Sequence, residues 1–257
     1  MKHLSICIPT YEMHGKGTEF LEYSFIQLEK QSFKDFEVVV SDHSKDNAVE
    51  QLCTQWNGRL DIVYIRNTEK RGSSSANLNC AIRNAKGAYI KFLMQDDYLF
   101  SANALATTVE ALGTNGAWLA SACTHTTDTI NTFRPFYPAF NAETILKKNT
   151  LSSPSTITIK NDKTVWFDDD LLWWTDTDFY KRYYEQHGQP ILLNEITVVN
   201  RIGEHQVSNT YATESIKLRE YAYILKKYKA RFIMIKMAVY KMKMYKRILK
   251  QKIKARL

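Results

Sequence analysis

The sequence predicts an α/β chain: a Rossmann-like, mostly parallel central sheet flanked by helices, with a basic helical extension at its C-terminal end. Three observations predict it. Short apolar runs alternate with segments of helical spacing through the first 112 residues, the order expected of strands joined by crossover helices. Each run is short and reads as a buried strand. Each also ends in polar residues, and sheets of this kind bind ligands at the carboxyl ends of their strands.

The elements follow in order. The stretch LSICIPTY (4–11) is a strand that ends at Pro9 and leads into a loop. Residues 18–32 carry Phe20, Leu21, Ser24, Phe25 and Leu28 at helical spacing. FEVVVSDHSKDN (36–47) is a second strand closing in a polar turn, 47–56 suits a helix, and LDIVYIRN (60–67) is a third strand. A helix over 75–86 is stopped by Gly87, and AYIKFLMQDD (88–97) is a fourth strand. The helix over 101–112 has Ser101 as its expected cap. Strand ends at Thr10 and Tyr11, Asp42, Asn67, and Asp96 and Asp97 are expected to converge on one crevice. The second half is less regular: 118–123, 156–160 and 191–203 suit strands, while 141–149 and 175–188 suit helices. No internal repeat or low-complexity linker interrupts the chain.

Composition bounds the function. The 257 residues are 44% hydrophobic and 24% charged, ordinary for a soluble globular protein. Cys7, Cys53, Cys80 and Cys123 lack CxxC spacing and suit reduced core positions, not a disulfide frame or a zinc site. The opening apolar run is too short for a signal peptide, and no stretch approaches the ~20 apolar residues of a membrane span. Charge is unevenly placed. Residues 221–257 hold 13 Lys and Arg and no acid, so the first 220 residues carry about −5 against +8 for the whole chain. That asymmetry points to two regions with different roles.

Adjacent Asp96 and Asp97, at the end of an apolar run, need an account, because like charges repel and burial disfavours both. One reading is a solvated cap accepting backbone N–H bonds. The other is a magnesium or manganese site, since hard divalent ions take one or two carboxylates plus substrate phosphates. A second acidic cluster lies in WWTDTDFYKR, where Asp176 and Tyr180 share a helix face. Acids there also suit a helix N-terminus, by about 0.3–1 kcal/mol, which describes Asp178 well. Asp168, Asp169 and Asp170 read as a loop or cap.

IPTY, VVVSDHSKD, KRGSSSANLNCAIRNAKGAYIKFLMQDDYL and WFDDDLLWWTDTDFYKR, in this order over about residues 4–210, resemble the successive blocks of family 2 glycosyltransferases of the GT-A fold. The resemblance implies a metal-dependent, inverting transfer of a sugar from a nucleotide-sugar donor, with UDP the commonest nucleotide, to a glycan or lipid-linked glycan. It implies a domain over 1–215, with a nucleotide-binding half to about 112 and an acceptor half from about 113, followed by a tail at 216–257. Pro9, Thr10 and Tyr11 match the loop against the nucleotide base. Asp42 matches the acid that bonds base or ribose, although Ser41-Asp42-His43-Ser44 lacks the usual glycine. Arg71 and Asn77 fall where the family approaches diphosphate and sugar; Arg71 also suits a plain surface charge, and Asn77 a helix-packing role. The usual Asp-x-Asp has Met94 at its first acid, which leaves Asp96 as the ligand of Mn2+ or Mg2+ and Asp97 as a neighbour that contacts sugar or orients the loop. Asp176 matches the general base, with Thr175 in place of the usual Glu, while Trp174 and Asp178 fall beside sugar or acceptor. His205 resembles the family's closing segment and is a second metal or phosphate ligand.

Beyond Tyr221, apolar residues Ile233, Met237, Tyr240, Met244 and Ile248 recur every three or four positions among basic ones. The expected partner of 221–257 is an anionic membrane surface, which would hold a cytoplasmic enzyme at the inner face of the cell membrane. Packing on the catalytic body is the other reading; nucleic acid, which such a stripe also suits, is not expected. Two other functions compete: an inactive relic that binds a membrane or partner, and another nucleotide-binding Rossmann-like enzyme. No GxGxxG follows the first strand to favour the latter.

Overall fold

The structure, a computed structural model, describes residues 2–146, 148–203 and 213–229. His205 and the apolar–basic run from 230 onward lie outside the described residues. The chain divides into two compact units, Met1–Gln206 and Val207–Leu257.

The first unit begins with β1 (Leu4–Thr10), α1 (Gly17–Glu29), β2 (Phe36–Asp42), α2 (Ala48–Trp56), β3 (Ile62–Arg66), α3 (Ser74–Asn84) and β4 (Tyr89–Phe92). It continues with β5 (Tyr98–Leu99), α4 (Ala104–Leu112), β6 (Trp118–Thr126), β7 (Thr132–Phe136), β8 (Ile157–Lys160), α5 (Thr175–His187) and β9 (Ile191–Arg201). In the second unit, α6 (Glu214–Tyr228) is capped by the Thr213 side chain on Ile216 N. One sheet runs β3-β2-β1-β4-β8-β6-β9-β5, with β7 beside β6. β1, β2, β3 and β4 pair in parallel, as do β6 and β9, while β8, β5 and β7 run against them.

Both sheet faces are covered, which is why the strands read as continuous apolar runs. Leu4, Ile6 and Ile8 of β1 and Val38 and Val40 of β2 pack with Leu21 and Phe25 of α1, Leu52 of α2 and Leu105 of α4. The alternate residues Cys7 and Val39 turn to the other face, against Ile82 of α3 and Phe179 and Tyr183 of α5. All four cysteines are buried free thiols.

Four expectations change. β4 stops at Phe92, because Met94 N donates to Ser155 Oγ and Asp97 N to Met94 O, making 93–97 a turn. α4 starts at Ala104 and Ser101 does not cap it; the Ser101 carbonyl accepts from Ala104 N and Gln31 Nε2 instead. Residues 141–146 and 148–149 form turns, not a helix: the Asn141 side chain takes the N–H groups of Glu143 and Thr144, as a helix cap would, but among the described residues only isolated i to i−4 bonds follow, from Ile145 N to Asn141 O and from Lys148 N to Thr144 O. The short β5 and the edge strand β7 have no counterpart in the sequence reading.

Two side-chain amides gather the strand ends. Asn77 of α3 donates to Thr10 O at 2.9 Å and accepts from Ser41 Oγ at 2.7 Å and Asn67 Nδ2 at 3.4 Å, tying β1, β2 and the end of β3. Gln95 pairs with both main-chain groups of Tyr11, accepting from its N at 3.0 Å and donating to its O at 2.9 Å, and donates to Gly17 O at 2.8 Å. This draws the loop after β1 onto the turn after β4. Gly17 has no room for a side chain: a Cβ there would stand 2.3 Å from Tyr11 O and 2.8 Å from Gln95 Nε2.

Asn77→Ala leaves the Ser41 hydroxyl and the Asn67 amide short of a partner, while Thr10 O keeps the His43 N–H, and is expected to destabilise the protein by about 1–3 kcal/mol, read as a lower urea midpoint at constant slope. Gly17→Ala must open the 11–17 loop and is expected to lose about 1–3 kcal/mol in the same measurement; an unchanged midpoint would mean that the loop relaxes freely.

Candidate active site

Asp42 ends β2 with its side chain buried. Oδ1 accepts from Ser44 N at 2.8 Å and Thr10 Oγ1 at 3.3 Å. Oδ2 accepts from the Tyr64 hydroxyl at 2.9 Å and stands 3.3 Å from Arg66 Nη1. This carboxylate therefore joins the ends of the first three strands, a structural duty beside the nucleotide contact expected of it. His43, standing where the family has a glycine, is buried and bonds Glu69 O at 3.0 Å, and burial lowers its pKa. Pro9 and Thr10 are buried in β1, and Tyr11 is half-buried with its main chain held by Gln95.

Arg71 is exposed in the turn before α3. Its neighbour Lys70 pairs with Asp169 at 2.9 Å, and Asn79 bonds Phe167 N, Phe167 O and Asp169 Oδ1. These contacts bring the loop preceding α5 against α3, so both acidic clusters of the sequence lie on elements tied to the same strand ends.

The two adjacent aspartates differ in environment. Asp96 is half-buried. Asp97 is buried: Oδ2 accepts from Ser155 Oγ at 2.6 Å and Ser153 Oγ at 3.3 Å, and Oδ1 from Arg201 N at 3.1 Å. Burial, then the Asp96 charge, raises its pKa, against the pull of those three donors. Lys91, fully buried in β4, donates to Ser155 O, and burial pushes its ammonium down to about 7. Of the two roles expected of Asp97, orienting the loop suits its enclosure by 153–155 and β9. Asp178 is likewise buried, with Oδ2 at 2.8 Å from Arg182 Nε and 2.7 Å from Nη2. Trp174 is buried where α5 begins, while Trp173 beside it is exposed.

Asp176 stands in the first turn of α5, half-buried. Desolvation alone pushes its carboxyl up to about 7, and no hydrogen bond from a described residue offsets it. Tyr180, one turn on, donates to Ser152 O at 3.2 Å. Ser153, next in the chain, bonds Asp97 and Asn200. The 152–155 loop thus connects the base of α5 to the turn holding Asp96.

For a divalent ion, no group of three or more His, Cys, Asp or Glu side chains comes together among the described residues. With Asp97 enclosed, Asp96 remains as the carboxylate for such an ion. That fits a hard cation that takes most of its oxygens from a substrate diphosphate and water. Gln95, Ser153, Ser155 and Arg201 escaped the sequence reading, because their partners are 47 to 104 residues away. Lys91 left a signal: a cation inside the buried run AYIKFLM.

Residues 5–173, more than half of the chain, match the family model Glycosyl transferase family 2. The chain is 29% identical over 111 residues to the GalNAc(5)-diNAcBac-PP-undecaprenol beta-1,3-glucosyltransferase of Campylobacter jejuni, covering 43% of this chain and 34% of that one. It is 29% identical over 101 residues to the Staphylococcus aureus poly(ribitol-phosphate) beta-N-acetylglucosaminyltransferase TarS, covering 38% of this chain and 17% of that one. The match thus spans about a third of the first relative's length and 17% of the second's. In structure, TarS residues 1–349 in complex with UDP-GlcNAc superpose on 87% of this chain and 66% of that one, with TM-score 0.66 and 20% identity. The mannosyltransferase PcManGT of Pyrobaculum calidifontis, in complex with GDP-Man and Mn2+, covers 93% of this chain and 69% of that one, with TM-score 0.64 and 17% identity. The fold is that of these GT-A proteins, and the family match over residues 5–173 identifies the chain as a member of glycosyl transferase family 2.

Proposed function

We propose that this protein transfers a sugar from a nucleoside diphosphate donor to a hydroxyl of a glycan or lipid-linked glycan, with inversion at the anomeric carbon. The observation that carries the reading is Asp176: a carboxyl with no hydrogen-bonded partner among the described residues, pushed up to about 7, at the start of a helix tied to the strand-end crevice. A base of that strength is matched to neutral pH. The neighbours solved with UDP-GlcNAc and with GDP-Man and Mn2+ support a nucleotide-sugar donor and a divalent ion. UDP is the nucleotide we assign first.

In the proposed reaction Asp176 takes the proton of the acceptor hydroxyl while that oxygen bonds to the anomeric carbon. The bond from that carbon to the diphosphate oxygen breaks on the opposite face, and the nucleoside diphosphate leaves with the electron pair. Pro9, Thr10, Tyr11 and Asp42 border the nucleotide, and exposed Arg71 presents its forked donors to the diphosphate. Asp96 would hold Mn2+ or Mg2+, which when bound neutralises charge on the diphosphate. The nucleotide-binding half then corresponds to about 1–112 and the acceptor half to about 113–215.

A membrane surface belongs to the proposal through the 13 basic residues of 221–257 and the lipid-linked substrate named for the Campylobacter relative. No described helix is long and apolar enough to cross a membrane, so attachment at the surface, on the inner face, is the mode we assign.

Asp176→Asn is expected to lower kcat by about 10²–10⁴-fold while UDP still binds; turnover at the wild-type rate would remove Asp176 from the base role. The base works ionised, so kcat/KM should climb as pH rises through about 7 and level off above it. A rate that falls over that range would contradict the assignment. Calorimetry of UDP with manganese should give binding to wild type that is lost in Asp96→Ala; metal-independent binding to both would remove the ion from Asp96.

A further inference from the structure

A cleft of about 700 Å³ lies between the loop before α1, the β6–β7 turn and the end of β9. Lys16, Phe20, Asp128 and Arg201 are among its lining residues. None of the site expectations involves it.

Arg201 is 5% exposed. Its guanidinium carbon lies 4.3 Å from the ring centre of Phe20 and 5.4 Å from those of Tyr23 and Tyr98. Aromatic faces attract a cation and favour retention of its charge when water is removed. Yet Nε is buried without a hydrogen-bond partner, and among the described residues the guanidinium has no ion-pair partner. A desolvated guanidinium with an open donor is an unmet demand for an oxyanion, which its planar fork accepts through paired bonds. Asp96 and Asp97 act on its charge through space, but no carboxylate among the described residues hydrogen-bonds the guanidinium. Asp97 Oδ1 takes the main-chain N–H of Arg201, not its side chain. The Asp128 carboxylate is occupied by Ile130 N, Asn131 N and Asn131 Nδ2 at 2.8–3.0 Å, which lower it to about 2. Lys16 is exposed at the cleft and adds a second cation, while Glu19, also exposed there, is the acid opposing it.

We infer that this cleft is a subsite for a phosphate carried by the acceptor. The inference rests on the proposed transferase reading and deepens it. Arg201 binds the phosphate oxygens as a specificity residue and Lys16 adds charge at the entrance. A volume of about 700 Å³ also accommodates the sugar or polyol attached to that phosphate. The Arg201 N–H to Asp97 bond places the subsite's wall against the turn carrying Asp96, while Pro9, Tyr11, Asp42 and Arg71, assigned above to the donor, are not among the cleft's lining residues. A polyol phosphodiester and a prenyl diphosphate both offer this chemistry.

The test is calorimetric titration of the full chain, saturated with UDP and manganese so that the donor side is filled, with three probes: methyl phosphate, a short polyol phosphodiester, and a short prenyl diphosphate. Binding of at least one probe is expected, weakened tenfold or more in Arg201→Gln and severalfold in Lys16→Gln, with UDP affinity unchanged in both. The phosphodiester or the diphosphate, whichever binds more tightly, names the source. Arg201→Lys, which keeps charge but not the fork, should fall between. Lys16→Gln is a surface change and keeps the test valid where the Arg201 variants fail to fold. Wild type that binds UDP but none of the probes overturns the subsite and leaves the donor reading intact. If UDP itself fails to bind, the donor reading fails, and the titration without UDP still decides the cleft by the response of Lys16→Gln: loss of probe affinity supports the subsite, and no change overturns it.

Discussion

The buried carboxylate of Asp97 is the constraint around which the catalytic end of the molecule is arranged. Two like charges follow one another at the end of a strand, and one of them is enclosed by protein. Three donors from two distant segments, Ser153, Ser155 and the main chain of Arg201, surround it. Buried Lys91 lies within electrostatic reach and is fixed through the same Ser155. Because the enclosure recruits 153–155 and β9, it fixes the turn on which Asp96 stands. The three donors oppose the repulsion between the neighbouring acids from within the protein, without outweighing the burial that raises the Asp97 pKa.

The first half of the fold was legible because both faces of its strands are covered. Burial on both sides turns β1, β2 and β4 into largely apolar runs, broken only by Ser5, Glu37, Lys91 and the polar strand ends, and the helices between them carry one apolar stripe each. β5 was invisible, since two residues have no period and their strand character comes from pairing with β9. β7 was invisible because its residues are largely exposed at an edge. The stretch after Asn141 has helical spacing and a helix-like cap, yet among the described residues only isolated helical bonds follow. Spacing reports which face is apolar; it does not report whether the backbone ladder continues.

For the site, residue types at strand ends were legible and their orientations were not. Asp42, Asp96 and Asp176 were found from position. That Asp97 and Asp178 turn inward depends on Ser155 and Arg182, and only the second partner lies at a helical spacing the sequence displays. Gln95 replaces no acid and carries no charge, so nothing local marks it as the residue that holds the loop after β1. The departures from the family pattern gain a physical reading in the same way. His43 spans to the main chain of Glu69, an anchoring contact in a turn that lacks the usual glycine.

The cysteines have a practical consequence. All four thiols are buried, and burial raises Cys7 and pushes Cys53 up to about 12. Reactivity toward alkylating reagents belongs to the exposed thiolate, so the folded protein is a nearly silent background for maleimide chemistry. A single cysteine introduced on the surface of the 127–131 turn would accept a fluorophore or spin label without removal of the native four, and any slow labelling of the parent protein would time its own opening.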